Sequence, residues 1–352
     1  MKATNSDLWR EVFCLLRSGG SLARIQARQV FDEIMSGQAS EAAVAGLLGA
    51  LSVKAETVEE LVGAAEAMRE RCTRIACDAE CMDTCGTGGD GLSTFNVSTT
   101  AAIIAAAAGA TVAKHGNRST TRKSGSTEVL AVLGVDVEAN PETVERSLRD
   151  VRIGYLNARR LHPAMKFAAV ARQAIPGRTI FNLLGPLTNP AGARRQLVGV
   201  PAEPLMVTMG EALLRLGAVH AWVVHGADGL CDLTITAKST VVEIKDGKLH
   251  RFNVSPEEVG LKRGTLEELL VDSPESSASA IEEIFQGRKG ARRDHSLLNA
   301  GAALVVAGRA ADLKMGVAMA AESVDSGAAA DTLSRWRRMS RAAYMDRSGR
   351  AS

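Results

Sequence analysis

The stretch 83–134, DTCGTGGDGLSTFNVSTTAAIIAAAAGATVAKHGNRSTTRKSGSTEVLAVLG, constrains this chain more than any other. It holds two glycine-containing loops, 85–91 and 114–125, each followed by hydroxyl residues and a helix-forming run. After the first come Asn96, Ser98, Thr99 and Thr100, then an apolar run over 101–108 closed by Gly109. After the second come Ser126 and Thr127, then Val129, Leu130, Val132 and Leu133, closed by Gly134. A helix N-terminus carries unpaired N–H groups and a partial positive charge. Glycines ahead of it let the backbone approach an anion closely, and hydroxyls add donors. The device occurs twice, joined by a short β-like run at 110–113, and Lys114, His115, Arg118, Arg122 and Lys123 surround the second copy with positive charge. One ligand with two separated phosphate groups suits such a pair. The motif is not a P-loop, because no Gly-Lys-Ser/Thr ends the first glycine run. Gly86, Gly88 and Gly91 fit the GxGxxG dinucleotide pattern, but no clean apolar strand precedes Gly86, and no acidic residue lies between Gly91 and Glu128 to hold a ribose.

The rest of the chain supports a mixed architecture. With 352 residues it can form one large domain or two smaller ones, and 46% hydrophobic residues fill a substantial core. A net charge of +2 gives no reason to expect a nucleic-acid or membrane partner, and 3% aromatic residues disfavour a base-stacking platform. The N-terminus lacks the pattern of a signal peptide and no apolar run is long enough to span a bilayer, so a soluble cytoplasmic protein is expected. Cys77, Cys81 and Cys85 are spaced Cx3Cx3C, but a structural zinc site needs a second ligand pair that the chain lacks, so reduced thiols are expected.

Residues 1–72 read as four helices, with Ser40 as an N-cap and Thr57 with Glu60 as a capping box. Asn140-Pro141 marks another helix start, 151–156 a buried strand, 157–162 a loop, and Pro163 the start of a helical stretch through Arg172. The segment 183–196, rich in Gly, Pro and Asn, reads as an irregular crossing. Beyond it strands and helices alternate to 252, which implies a mainly parallel sheet, and helices follow over 275–286, 295–308 and 311–340. The expected class is α/β: a small all-helical domain, 1–74, completed by 164–192, and a larger α/β domain, 75–163 with 193–345, whose mainly parallel sheet is flanked by helices, then a tail at 346–352.

Gly86-Thr87-Gly88-Gly89-Asp90, Asn96-Val97-Ser98-Thr99 and Lys114-His115-Gly116-Asn117-Arg118-Ser119 resemble the signature of the anthranilate phosphoribosyltransferases, which share a fold group with the pyrimidine nucleoside phosphorylases. The similarity continues through His162-Pro163-Ala164-Met165-Lys166, RTIFNLLGPLTNP at 178–190 and Asp325-Ser326-Gly327, and covers nearly the whole chain. It implies transfer of the phosphoribosyl group of phosphoribosyl pyrophosphate to the amine of anthranilate, a step of tryptophan biosynthesis that uses one or two Mg²⁺ ions, in a homodimer paired through the helical domain. It implies that Gly86, Thr87, Gly88, Gly89, Asp90, Thr94, Asn96, Ser98, Thr99, Lys114, Ser119, Thr121 and Ser126 bind the donor. Gly86, His115, Asn117, His162 and Arg172 would border anthranilate, with Arg172 pairing its carboxylate. Ser98 and Asp232 would hold metal.

Three positions depart from the family. Cys231-Asp232 stands where an Asp-Glu pair is usual, which puts a second metal site in doubt. Asn157 stands where an aromatic is common, with Arg159 added beside it, which suggests an altered acceptor channel. Arg122 replaces a small residue of the phosphate loop. The competing readings are a paralogue with another aromatic amine or acid as acceptor, and a non-catalytic binding relative. The second would have lost the phosphate loops and gained a basic face, and neither holds here. A nucleoside phosphorylase is disfavoured by the 162–166 and 178–190 segments.

Overall fold

The computed structural model describes residues 6–77, 80–118 and 123–348, with side chains through 341. Four helices open the chain: Ser6–Arg17, Arg24–Met35, Glu41–Lys54 and Val58–Glu70. Their ends are set locally. Ser40 Oγ accepts the Ala43 N–H at 3.2 Å, and Thr57 and Glu60 exchange side-chain and backbone bonds as a capping box. Their apolar faces, including Val30, Phe31, Leu47 and Leu61, are buried.

Seven strands follow: β1 (Met82–Gly86), β2 (Val112–Gly116), β3 (Ile153–Asn157), β4 (Arg195–Gly199), β5 (His220–Gly226), β6 (Ser239–Lys245) and β7 (Lys248–Val254). They form one sheet in the order β3-β2-β1-β4-β5-β6-β7. The first five are parallel, and β6 and β7 run antiparallel as a hairpin over Asp246 and Gly247, both at positive φ. Side chains alternate between two cores, as a two-residue period requires. Leu197, Trp222, Val224 and Val241 join the core built on helices Val97–Ala107, Ala291–Val306 and the C-terminal helix Ala328–Ser348. Val198, Ala221, Val223 and Val242 join the core of the opening helices and helix Pro204–Arg215. Among the described residues no helix is long and apolar enough to cross a membrane.

Several expectations change. A strand does precede Gly86. It is not apolar because Asp83 and Thr84 are buried there with partners: Asp83 accepts from the His115 N–H and Asn189, and Thr84 donates to the Ser98 carbonyl. Lys114, His115 and Gly116 close a strand rather than open a loop. Residues 158–161 form a short helix capped by Asn157. The segment 183–196, taken as irregular, opens inside helix Ile180–Leu187. Gly185 and Pro186 hide its pattern, but Ile180, Leu183, Leu184 and Leu187 follow helical spacing and are buried against the opening helices.

Candidate active site

In a sheet of order 3-2-1-4-5 the crossovers leave to opposite faces on either side of the β1–β4 pair, opening a crevice at their carboxyl ends. The first glycine loop occupies that place. Gly88 and Gly89 have φ of +64° and +89°, a left-handed conformation that glycine adopts without strain. The loop is tied down across the crevice. The Thr87 N–H donates to the Gly199 carbonyl at 2.9 Å. Asp90 Oδ1 accepts the Leu92 N–H at 3.2 Å, and Oδ2 accepts the Cys231 N–H at 3.3 Å. Gly199 is required by close approach, since a Cβ there would lie 1.5 Å from the Cys231 carbonyl oxygen.

Beside this loop Lys114 is 2% exposed, and its ammonium donates to the Thr84 carbonyl at 2.7 Å and to Ser98 Oγ at 3.3 Å. Burial pulls its pKa down, and Asp83, Cys85 and Asp232 act against that pull. Ser98 and Asp232 meet at one small cavity whose wall is otherwise mostly apolar, with Ala101, Leu197, Gly199 and Val224 in it. Ser98 and Asp232 offer hard oxygens, a set that suits Mg²⁺ held jointly by protein and substrate phosphates. The Cys231 thiol instead lies against the Gly88 carbonyl at 3.8 Å. Among the described residues no group of three His, Cys, Asp or Glu is arranged to hold a metal.

Other predicted donor residues have different surroundings. Asn96 Oδ1 accepts hydroxyls from Ser124 and Ser277 at 2.6 and 2.7 Å, so its side chain stitches the start of helix Val97–Ala107 to two neighbouring segments and leaves that helix uncapped. Thr94 and Thr99 are buried, and their hydroxyls have no partner among the described residues. Ser126 Oγ donates to the Asn117 carbonyl at 3.2 Å and lies 3.4 Å from the Tyr155 hydroxyl. Ser119, Thr121 and Arg122 lie outside the described residues.

On the β2–β3 side the buried rings of His115 and His162 sit 5.1 Å apart. Burial lowers both pKa values, His115 to about 3 with His162 contributing, and His162 to about 4. The rings are therefore neutral near pH 7. His115 Nδ1 lies 3.1 Å from the Gly185 carbonyl, which assigns it the proton and leaves Nε2 a bare acceptor. Neither His115 Nε2 nor His162 Nε2 has a partner among the described residues. Arg172 lies over the Phe181 ring at 5.8 Å, with no carboxylate partner among the described residues. Phe181 and Gly185 are four residues apart on one helix, hence on one face, so Arg172 and His115 both approach the same side of that helix. Asn117 is exposed next to His115.

Two supporting residues escaped sequence reasoning. Asp83 and Asn189 are bonded to each other at 2.8 Å, and Asn189 also holds the Ala113 carbonyl at 2.9 Å, which locks the crossing segment to β1 and β2. The available signal was a carboxylate one residue into a short strand. Asn157, read as altering the acceptor channel, is buried and turned elsewhere: Nδ2 donates to the Val137 carbonyl and to Glu138, both at 3.0 Å, and Oδ1 caps the 158–161 helix.

Comparison with known proteins defines the class first. The α/β-domain model of a glycosyl transferase family matches residues 78–330, and that family's helical-bundle domain matches residues 10–72. Within that class the chain belongs to the anthranilate phosphoribosyltransferase family. It is 50% identical over 319 residues to the anthranilate phosphoribosyltransferase of Anaeromyxobacter dehalogenans, covering 90% of this chain and 94% of the relative. It is 48% identical over 332 residues to that of Rhodospirillum rubrum, covering 94% and 95%. The crystal structure of the Thermus thermophilus enzyme superposes with a TM-score of 0.89 at 41% identity, covering 95% of this chain and 99% of that one. The Saccharomyces cerevisiae enzyme in complex with phosphoribosyl pyrophosphate and Mg superposes with a TM-score of 0.88 at 26% identity, covering 96% and 99%.

Proposed function

We propose that this chain transfers the phosphoribosyl group of phosphoribosyl pyrophosphate to the amine of anthranilate, giving N-(5-phosphoribosyl)anthranilate and pyrophosphate in tryptophan biosynthesis. The amine nitrogen forms the new bond to the anomeric carbon as the bond to pyrophosphate breaks, with inversion, and the amine then loses a proton. The protein's task is to stabilise the leaving pyrophosphate and the cationic sugar, which is electrostatics and positioning.

Residues 86–90 line the donor, with the backbone N–H groups of Gly88 and Gly89 and the Asp90 carboxylate turned to it, while the Thr87 N–H holds the loop to Gly199. Ser98, Thr99, Asn96, Thr94, Ser126 and Lys114, with Ser119 and Thr121, complete its site. Asp232 and Ser98 would hold Mg²⁺, which would supply positive charge to the leaving pyrophosphate. On the acceptor side Arg172 takes the carboxylate, for which its planar fork is suited. Neutral His115 and His162 offer acceptor nitrogens to the amine, and Asn117 and Gly86 border it. The same reading takes 1–74 with 164–192 as a helical unit, 75–163 with 193–345 as the donor-binding unit, and the working form as a cytoplasmic homodimer paired through the helical unit.

The observation that carries this reading is Arg172. It is a guanidinium without a carboxylate partner among the described residues, directed at the same helix face as the neutral His115. The test is pyrophosphate release with Mg²⁺ and phosphoribosyl pyrophosphate, followed alongside loss of anthranilate fluorescence. Arg172→Ala is expected to raise the KM for anthranilate about ten- to hundredfold, the scale of lost charge-assisted hydrogen bonds, with the donor KM little changed. Donor binding without anthranilate turnover in the unaltered protein would refute the acceptor assignment.

A further inference from the structure

The loop after β5 carries the only carboxylate of the Cys231-Asp232 pair, and its backbone is held from two directions. The glycine loop holds one side through the bond from the Cys231 N–H to Asp90. Helix Ala291–Val306 holds the other through Asn299. The Asn299 side chain is 2% exposed, and its amide brackets one residue: Oδ1 accepts the Leu233 N–H at 3.1 Å, and Nδ2 donates to the Leu233 carbonyl at 2.8 Å. Nδ2 also donates to the His295 carbonyl one turn back, which fixes the amide on its own helix. This reproduces the two-bond exchange of a β-ladder pair with a side chain, and it acts on the residue next to Asp232. Nearly every residue of that helix from Arg293 onward is buried, so the bracket transfers the rigidity of the core to the loop.

We infer that Asn299 is a positioning residue that fixes the stretch of backbone carrying the Asp232 carboxylate. The inference rests on the reading of Asp232 as a metal-holding residue. It explains how one aspartate serves where a longer acidic pair is usual. With its backbone fixed on both sides, Asp232 retains only its own side-chain torsions, and little entropy is lost when it binds. Groups that orient a metal ligand typically contribute ten- to hundredfold in metal affinity.

The test uses the full chain with Asn299→Leu, which keeps the side-chain volume and removes the bracket, and Asn299→Ser, which is too short to span both Leu233 groups. Mn²⁺ binding in the presence of phosphoribosyl pyrophosphate, read by electron paramagnetic resonance, is expected to weaken about ten- to hundredfold, while the KM for anthranilate and metal-free donor binding change by less than about twofold. Unchanged Mn²⁺ affinity in either folded variant overturns the inference. So does an equal loss for all three ligands, or failure of both variants to fold, since each marks a purely structural role. If the unaltered protein binds no Mn²⁺ with the donor, the metal assignment and this inference fall together. If it binds Mn²⁺ but does not consume anthranilate, the acceptor reading falls and the Asn299 result still stands or fails by itself.

Discussion

The two halves of the crevice are built by opposite strategies. At the carboxyl ends of β1, β4 and β5, polar groups are joined to one another: Thr87 to Gly199, Asp90 to Cys231, Lys114 to Thr84 and Ser98. Beside β2 the Nε2 atoms of His115 and His162 are buried without partners among the described residues, and Arg172 lies over an aromatic face. A buried polar atom without a partner costs stability, so a fold tolerates it where a ligand will complete it. Apart from the Thr94 and Thr99 hydroxyls, which have no partner among the described residues, the first half is a rigid scaffold whose contribution is backbone shape. The second stores unsatisfied bonding capacity, and its contribution is chemical selectivity.

The sharpest way to break this contrast is Gly199→Ala. Its Cβ would fall 1.5 Å from the Cys231 carbonyl oxygen, which is backbone and cannot swing aside. Loss of ~3 kcal/mol or more is expected in thermal or denaturant unfolding, with loss of donor binding, because β4 and the 226–236 loop must part. A mild effect would mean that the scaffold half is more pliable than its bonding implies.

The imidazoles give the next largest effect. Their folded pKa values, about 3 and about 4, lie below the ordinary value of 6.5, so the unfolded chain binds more protons than the native one as pH falls. The stability this neutrality contributes is whole above pH 6.5 and is lost as pH drops from there toward 4. A decrease of ~2–3 kcal/mol between pH 7 and pH 5.5 is expected from the pair, after allowance for other groups, and His162→Gln should flatten part of it. An unchanged slope in that variant would show that His162 is not held neutral. The smallest effect belongs to Asn157→Ala, which removes a cap and two bonds for ~1 kcal/mol of stability and leaves the anthranilate KM unchanged. A shift in that KM would return Asn157 to the acceptor channel.

What could be read from the sequence follows from how local each signal is. The caps at Ser40, Thr57 and Asn140 act within three residues, and all three are present in the structure. Glycine loops announce themselves because only glycine adopts their backbone. The helix Ile180–Leu187 was obscured by Pro186 and Gly185, two residues that usually end helices. Its stability comes from burial against the opening helices, far away in sequence. β1 was missed because its inward side chains are polar and meet partners from 98, 115 and 189. The antiparallel β6–β7 hairpin was only half visible: the Asp246-Gly247 turn is local, but the pairing of the exposed β7 with β6 is not. Asn299 gave no signal at all, since an asparagine in a helix means something only when its distant partner is known.

The acceptor wall is a single detour of the chain between β3 and β4, running from the 158–161 helix to Asn189 and touching the donor scaffold through few bonds, chiefly Asn189 to Asp83 and the Gly185 carbonyl to His115. That makes it a cassette. A replacement segment must preserve those attachments, the bonds of Asn189 to Ala113 and of Gln196 to the Pro186 carbonyl, and the buried face of helix Ile180–Leu187. On the proposed assignment, a change confined to that segment is expected to alter amine selectivity while sugar transfer is kept.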